Sequence, residues 1–220
     1  MKSGRKQFSW NEIDITSSLP TSWKKDILSI AKKKVVSRII VPTSVTSRES
    51  SQSLKIPVMT VGGVTIRSQL PWLYDLYRGL FRDIGQTFVN ELLSVAGDDR
   101  YGINLNIQKG RNMRYECHVD SNPLEGLLYV TGHPRGSGGE LVVSNNPKAN
   151  GIRGISADCE KIYPNSGKLI FFDAREHPHF VAPLKGESDV RIAVTMNFYV
   201  PSCSESSRPK DLNKHLFGEE

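Results

Sequence analysis

Two short motifs, His118-Val119-Asp120 and His179-Phe180-Val181-Ala182-Pro183, constrain the fold of this chain more than any other feature. Successive side chains of a β-strand point to opposite faces, so His118 and Asp120 can face one metal ion while Val119 faces away. His179 lies 59 residues after Asp120, a distance that accommodates several strands and their turns. A third ligand so far along the chain must come from a strand that folds back alongside the first, which predicts a β-rich fold.

The metal ligands expected from this pattern are His118, Asp120 and His179. Two imidazoles and one carboxylate on one face of a metal leave other positions open, as in the non-haem Fe(II) sites that bring a cosubstrate and dioxygen together. His177 is the alternative to His179, because the two imidazoles are only two residues apart. We prefer His179, since His177 precedes a Pro that is typical of a turn entering a strand.

From about Tyr101 to Val200, the sequence resembles the Fe(II)- and 2-oxoglutarate-dependent dioxygenases. The resemblance is carried by Ile103-Asn104-Leu105-Asn106-Ile107, His118-Val119-Asp120, Gly138-Gly139-Glu140-Leu141, Gly167-Lys168-Leu169-Ile170-Phe171-Phe172, His179 with Val181 and Pro183, and Arg191. It implies that the two His and the Asp hold the iron. It also implies that an Arg ten to a dozen residues after the second His binds the distal carboxylate of 2-oxoglutarate. Arg191, twelve residues after His179, takes that role by position, and its fork of donors matches a carboxylate.

The resemblance implies Fe(II), 2-oxoglutarate and dioxygen as cofactors, with succinate and carbon dioxide released as an unactivated carbon is hydroxylated. We expect the substrate to be a small, anionic molecule such as an amino-acid derivative. Asp120 favours hydroxylation over halogenation, because related halogenases have a small residue there so that chloride can ligate the iron. Desaturation and cyclisation stay open.

Other functions are compatible with parts of the pattern. A protein hydroxylase of the same superfamily could use the segment Thr43–Ser53 as part of a peptide groove. The nucleic-acid demethylases of the superfamily carry an Asn two residues and a second Arg six residues after the cosubstrate Arg, where this chain has Ala193 and Asn197. A non-oxidative, cupin-like metal-binding protein would share the fold but would not need Arg191.

Side-chain alternation predicts which residues line the pocket. If Arg191 faces the iron, Thr195 and Asn197 face inward beside it, and the apolar residues between them face outward against a helix. The cofactor-binding candidates besides Arg191 are Asn104, Asn106 and Thr195. The substrate-binding candidates are Arg114 and Glu116, which are in phase with His118, together with Gln108, Asn197 and the loop residue Arg135. Tyr115 and Cys117 are expected to face away.

The predicted fold is mainly β with flanking helices: a double-stranded β-helix (jelly roll, cupin-like) with N-terminal helices packed on the major sheet. Hydrophobic periodicity predicts a short helix or turn over Trp10–Ser17, a helix over Ser22–Val36 and a long amphipathic helix over Leu70–Ala96. Strands are predicted near 101–109, 113–119, 126–131, 139–143, 158–162, 167–172, 179–184 and 190–199. Thr43–Ser53 is expected to be a mobile loop, and the chain beyond Pro201 a polar tail.

Length and composition favour one domain over residues 1–220, with a helical region and loop (1–100), a jelly-roll core (101–200) and a polar tail (201–220). The net charge is +6, but much of the excess lies on the helix around Lys32-Lys33-Lys34, so we expect no nucleic-acid partner. Three scattered cysteines indicate neither a disulfide framework nor a zinc site and favour the cytoplasm. No apolar segment predicts a secretion signal or a membrane span. The oligomeric state stays open.

Overall fold

A computed structural model describes residues 7–218 of the chain. The strands are β1 (Trp10–Asp14), β2 (Val36–Ile40), β3 (Ile56–Val61), β4 (Ser94–Val95), β5 (Ile103–Lys109), β6 (Leu124–Tyr129), β7 (Leu141–Ser144), β8 (Cys159–Ile162), β9 (Lys168–Phe172), β10 (His179–Val181) and β11 (Val190–Tyr199). The α-helices are α1 (Trp23–Lys34), α2 (Gly63–Gln69), α3 (Pro71–Leu76), α4 (Arg82–Gln86), α5 (Asp99–Gly102), α6 (Gly151–Ser156) and α7 (Leu212–Phe217). Short 3-10 helices occupy Thr16–Ser18 and Glu205–Ser207, and a π-helical turn, Tyr77–Phe81, joins α3 to α4.

Two antiparallel sheets face each other across the core. Within residues 7–218, the major sheet has the order β1-β9-β6-β11-β5-β3-β2, with β4 on β11, and the minor sheet has the order β10-β7-β8. Apolar residues of both sheets fill the space between them; they include Leu127, Ile170 and Ala193 from the major sheet and Leu141, Val143 and Val181 from the minor sheet. This arrangement confirms the predicted jelly roll.

The outer face of the major sheet is covered by the N-terminal helices, as predicted. Trp23 and Ile27 of α1 and Leu73 of α3 belong to the same buried cluster as Met196 and Phe198 of β11. The apolar residues of β11 that alternate with Arg191 therefore face the helices. The alternation of residue types along this strand thus predicts which face is covered by helices and which faces the other sheet. None of the helices within the described residues has the length and apolar content needed to cross a membrane.

The long helix predicted over Leu70–Ala96 is absent from the last third of that range. Helical structure runs from Pro71 only as far as Gln86. The Gln86 side chain then organises a loop: its Nε2 donates to the carbonyl of Glu91 at 2.8 Å, and its Oε1 accepts from the amide of Leu93 at 2.8 Å. The chain then returns to the sheet as β4. Leu92, which lies in this non-helical part, is 77% exposed.

Seven of the eight predicted strands are present with small shifts of their ends. The strand predicted over 113–119 is wrong: this segment is extended but irregular, and His118 forms isolated bridges to Ser47 and to His179. The short helix or turn predicted over Trp10–Ser17 is also wrong for Trp10–Asp14. These residues form a strand that pairs with β9 at the edge of the sheet. An edge strand exposes most of its residues, so it carries little apolar alternation. The hairpin of β2 and β3 is absent from the sequence-based prediction, since its loop is far longer than the two to five residues that identify hairpins.

Two segments expected to be peripheral pack onto the fold instead. In the Thr43–Ser53 loop, the Thr46 carbonyl accepts from the amide of Val119 at 3.0 Å, and the Arg48 amide donates to Cys117 at 2.7 Å. The chain after Pro201 is not merely a polar tail, because it forms α7, whose Leu212 is buried. Both segments reach the cavity described next.

Candidate active site

His118, Asp120 and His179 converge on one point. Their potential ligand atoms all lie within 4.8 Å of one another. The Nε2 atom of each imidazole is 3.6 Å from Asp120 Oδ1. The backbone sets this geometry: the amide of each His donates to the carbonyl of the other, at 2.9 and 2.8 Å. The distant strand β10 thus lies alongside the triplet, as the sequence spacing predicts.

Both imidazoles are oriented through their second nitrogen. Nδ1 of His118 is 2.8 Å from the carbonyl of Glu116, and Nδ1 of His179 is 3.0 Å from that of His177. With the proton on Nδ1, Nε2 keeps its lone pair for a metal, which is the usual arrangement around histidine ligands. Burial lowers the pKa of both rings to about 4, so they are neutral near pH 7.

The carboxylate of Asp120 completes a donor set that fits a divalent cation. Burial raises the pKa of Asp120, because a carboxylate away from water lacks hydration. Its Oδ2 is buried and has no hydrogen-bond partner among the described residues. A metal ion would satisfy this oxygen and stabilise the charged form.

His177 does not join this cluster. Its Nδ1 lies 2.9 Å from the carbonyl of Ser144, and its ring packs edge-on against Phe8 with centroids 5.2 Å apart. The side chain faces a separate surface depression, which Gln7 and Ser9 also line. Its surroundings are therefore those of a packed structural histidine.

Arg191 on β11 is a buried cation, and no ion pair among residues 7–218 involves it. It is 1% exposed, and its Nε has no hydrogen-bond partner among the described residues. Its guanidinium carbon lies 5.3 Å from the ring centroid of Tyr129. Burial lowers the pKa of Arg191, which is the cost of removing this charge from water. A carboxylate in the cavity would supply the missing partner.

The Tyr129 hydroxyl, which is also buried, adds a second polar group beside Arg191. Sequence reasoning missed Tyr129, because it ends the apolar strand Leu124–Tyr129 and resembles an ordinary core residue there. The pairing of β6 with β11 explains why Tyr129 lies near Arg191: Tyr129 pairs with Ala193, which lies two residues from Arg191.

A cavity of about 150 Å³ connects these groups. As the alternation predicts, its wall includes Asn104 and Asn106 from β5, and Arg191, Thr195 and Asn197 from β11. Gln108 is in phase with them but does not line the cavity, which corrects the prediction for this residue. Its Nε2 donates to the carbonyls of Met113 and Ala182 at 2.7 and 2.8 Å, so it ties two backbone segments together.

Two of the predicted substrate residues lie elsewhere. Arg114 turns away from the cavity and pairs with Glu49 at 2.6 Å, because the segment around it is not a regular strand and does not alternate. Arg135 is exposed on its loop and stacks on Tyr163 at 4.9 Å. For the same reason Tyr115, expected to face away, lines the cavity and packs against His118.

Glu116 lines the cavity, but it is engaged within the protein. His215 of α7 lies 2.7 Å from its carboxylate, and both side chains are almost fully buried. The C-terminal segment contributes five residues of the wall: Arg208, Leu212, His215, Leu216 and Phe217. Sequence reasoning missed all of them, and no periodic signal in this short segment identifies them.

Comparison with known proteins places this geometry in a family. The sequence model of the 2OG-Fe(II) oxygenase superfamily matches residues 102–199, which contain the three converging residues and Arg191. This stretch is a 2OG-Fe(II) oxygenase domain. Fe(II), 2-oxoglutarate and dioxygen are the cofactors of this superfamily, and the unsatisfied Asp120 oxygen and the unpaired Arg191 fit the first two. A comparison with curated proteins finds no match.

Solved structures share the fold of this chain at low identity. An oxidoreductase of the 2OG-Fe(II) oxygenase family from Burkholderia pseudomallei has a TM-score of 0.58 and 12% identity, covering 86% of this chain and 84% of its own. A prolyl hydroxylase from Trichoplax adhaerens, in complex with a hypoxia inducible factor peptide fragment, has a TM-score of 0.59 and 16% identity, with 90% and 85% covered. The epimerase SnoN, in complex with Fe3+, alpha-ketoglutarate and nogalamycin RO, has a TM-score of 0.58 and 10% identity, with 92% and 86% covered.

Proposed function

We propose that this oxygenase hydroxylates an unactivated carbon of a small molecule, such as an amino-acid derivative. His118, Asp120 and His179 hold the iron in this proposal, and Arg191 binds the distal carboxylate of 2-oxoglutarate. The observation that carries it is one cavity that contains both a converging donor set and a buried, unpaired guanidinium.

Iron and 2-oxoglutarate, when bound, supply the oxidising chemistry, and the protein contributes position and exclusion of water. The carbonyls of Glu116 and His177 fix the two imidazole rings. Arg191 orients the cosubstrate from the other side of the cavity, and Thr195 and Asn106 are candidates for further contacts to it. The C-terminal wall then separates the substrate from bulk water.

A small substrate is favoured because the cavity holds only about 150 Å³ and the C-terminal segment forms part of its wall. Arg208 lines the cavity, lies over the ring of Tyr101 at 3.9 Å and could face a carboxylate of the substrate. Asn197 and Glu116 are further candidates for this end. A peptide substrate is the second candidate, supported by the similarity to a prolyl hydroxylase that was solved with a peptide.

The proposal is tested by anaerobic titration with Fe(II) and then 2-oxoglutarate, followed by a library screen that measures succinate formation. We expect one equivalent of Fe(II) to bind, and 2-oxoglutarate to bind only afterwards with full affinity. A small-molecule substrate should raise succinate formation above the level seen without it. Absence of Fe(II) binding to the folded protein would contradict the proposal.

Asp120 should decide which product is formed. Because its carboxylate occupies a ligand position, the natural protein is expected to release hydroxylated product even in high chloride. Asp120→Gly opens that position but removes a charged ligand, so we expect loss of hydroxylation with at most a trace of chlorination. Mass spectrometry of the product measures this: a gain of one oxygen supports the assignment, whereas a chlorinated product of the natural protein contradicts it.

A further inference from the structure

Glu125 on β6 lies at the end of the cavity opposite Arg191. Its register partner on β11 is Asn197, six residues from Arg191, or about 20 Å along a strand that rises about 3.4 Å per residue. If Arg191 binds the cosubstrate, the Glu125 end is left for the substrate. Tyr101, Arg208 and Phe217 line the same cavity.

Glu125 is a buried carboxylate for which residues 7–218 provide no cation. It is 9% exposed, and no ion pair of the described residues involves it. Its polar contacts are the side-chain amide of Asn122 at 3.3 Å and the backbone amide of Met196.

The other two carboxylates of the cavity wall are compensated. Glu116 has His215 at 2.7 Å, and Asp120 would be neutralised by the proposed iron. Burial raises the pKa of Glu125 well above its usual range, and a cation beside Glu125 would favour its charged form. Glu125 is therefore the one carboxylate of this wall whose charge no described side chain balances.

One acceptor in the cavity wall has no donor among the described residues. Asn104 Oδ1 is buried and has no hydrogen-bond partner among the described residues. The strand pairing places Asn104 near Glu125: Asn104 pairs with Thr195 of β11, and Thr195 pairs with Leu127 of β6, two residues from Glu125. Acceptors of this kind favour a ligand rich in N–H donors, and an ammonium group offers three together with a positive charge.

We propose that Glu125 binds a protonated amine of the substrate, which makes the substrate class small amines, including zwitterionic amino-acid derivatives, rather than purely anionic molecules. This inference rests on the proposed function for the placement of the cosubstrate at Arg191. Glu125 and Asp120 line the same cavity, so the ammonium group would lie in the space that also holds the carbon to be oxidised.

The test uses n-butylammonium as the probe and butan-1-ol as its neutral match, with affinities measured by ligand-observed NMR. Titrations are done on the natural protein, Glu125→Gln and Glu176→Gln, each without metal and with anaerobic Fe(II) and 2-oxoglutarate. Glu176 is exposed and outside the cavity, so it controls for general loss of negative charge. We expect the ammonium probe to bind the natural protein at least tenfold more tightly than the alcohol. Glu125→Gln should lose this preference, and Glu176→Gln should keep it.

Equal affinity of the two probes for the natural protein would overturn the proposal, and this comparison needs no variant to fold. An unchanged preference in folded Glu125→Gln would overturn it as well. The Fe(II) titration reports separately on the proposed function. If the protein binds Fe(II) and 2-oxoglutarate but not the amine, the proposed function stands and this inference is wrong.

Discussion

His179→Ala is expected to abolish Fe(II)-dependent decarboxylation of 2-oxoglutarate, whereas His177→Ala should retain substantial activity. His179 presents its Nε2 to the cluster with Asp120, while His177 is turned toward Ser144 and Phe8. Loss of one of three ligands should exceed the roughly 10- to 100-fold effect of changing a group that only supports a ligand. Succinate formation and Fe(II) retained after gel filtration measure the two effects.

His177→Ala is a matched control, because both imidazoles are buried and both variants remove the same atoms. Circular dichroism and the melting temperature establish that each variant is folded. Equal loss of iron and activity in the two variants would remove the basis for assigning His179 as the ligand.

Arg191→Ala should raise the 2-oxoglutarate concentration needed for half-maximal decarboxylation roughly thirty- to several-thousand-fold. That range corresponds to the loss of about 2–5 kcal/mol when one partner of a buried charge pair is removed. Arg191→Lys should rescue only part of the affinity, since an ammonium cannot reproduce the fork of a guanidinium. The cosubstrate dependence of succinate formation gives the measurement.

Arg135→Ala serves as the control for this experiment, because Arg135 also stacks on a tyrosine but lies exposed on a loop. Thermal shift supplies a readout independent of turnover: 2-oxoglutarate should raise the melting temperature of the Fe(II)-loaded natural protein much more than that of Arg191→Ala. An unchanged cosubstrate dependence in Arg191→Ala would mean that another cation binds the carboxylate.

The regular strands explain why much of the cavity could be predicted from the sequence. In β5 and β11 the polar and apolar residues alternate, apart from Ala193 and the terminal Lys109. The two strands pair along seven residues, so a single assumption about Arg191 places Asn104, Asn106, Thr195 and Asn197. Alternation is reliable where a strand is held between neighbours on both sides.

The same reasoning failed where the backbone is irregular. The segment before His118 is held by loop contacts and an isolated bridge, so the inward and outward assignments of Arg114 and Tyr115 do not follow a period of two. The prediction for Gln108 failed for another reason: its side-chain amide donates to the backbone carbonyls of Met113 and Ala182. The Glu116–His215 pair joins residues 99 positions apart through a six-residue helix, and such a contact leaves no local pattern.

The cavity is assembled from two kinds of chain segment, and this division bears on how such an enzyme changes over evolution. The proposed iron ligands and Arg191 lie within residues 102–199, whereas much of the outer wall comes from flanking stretches that contribute Ile40, Val58, Arg208 and Phe217. Mutations, insertions or exchanges in the flanks can therefore remodel the substrate end without disturbing the reaction centre. We expect part of the substrate selectivity to be inherited separately from the chemistry, with Glu125 as the exception within residues 102–199. Grafting a relative's C-terminal segment is then a direct route to altered selectivity.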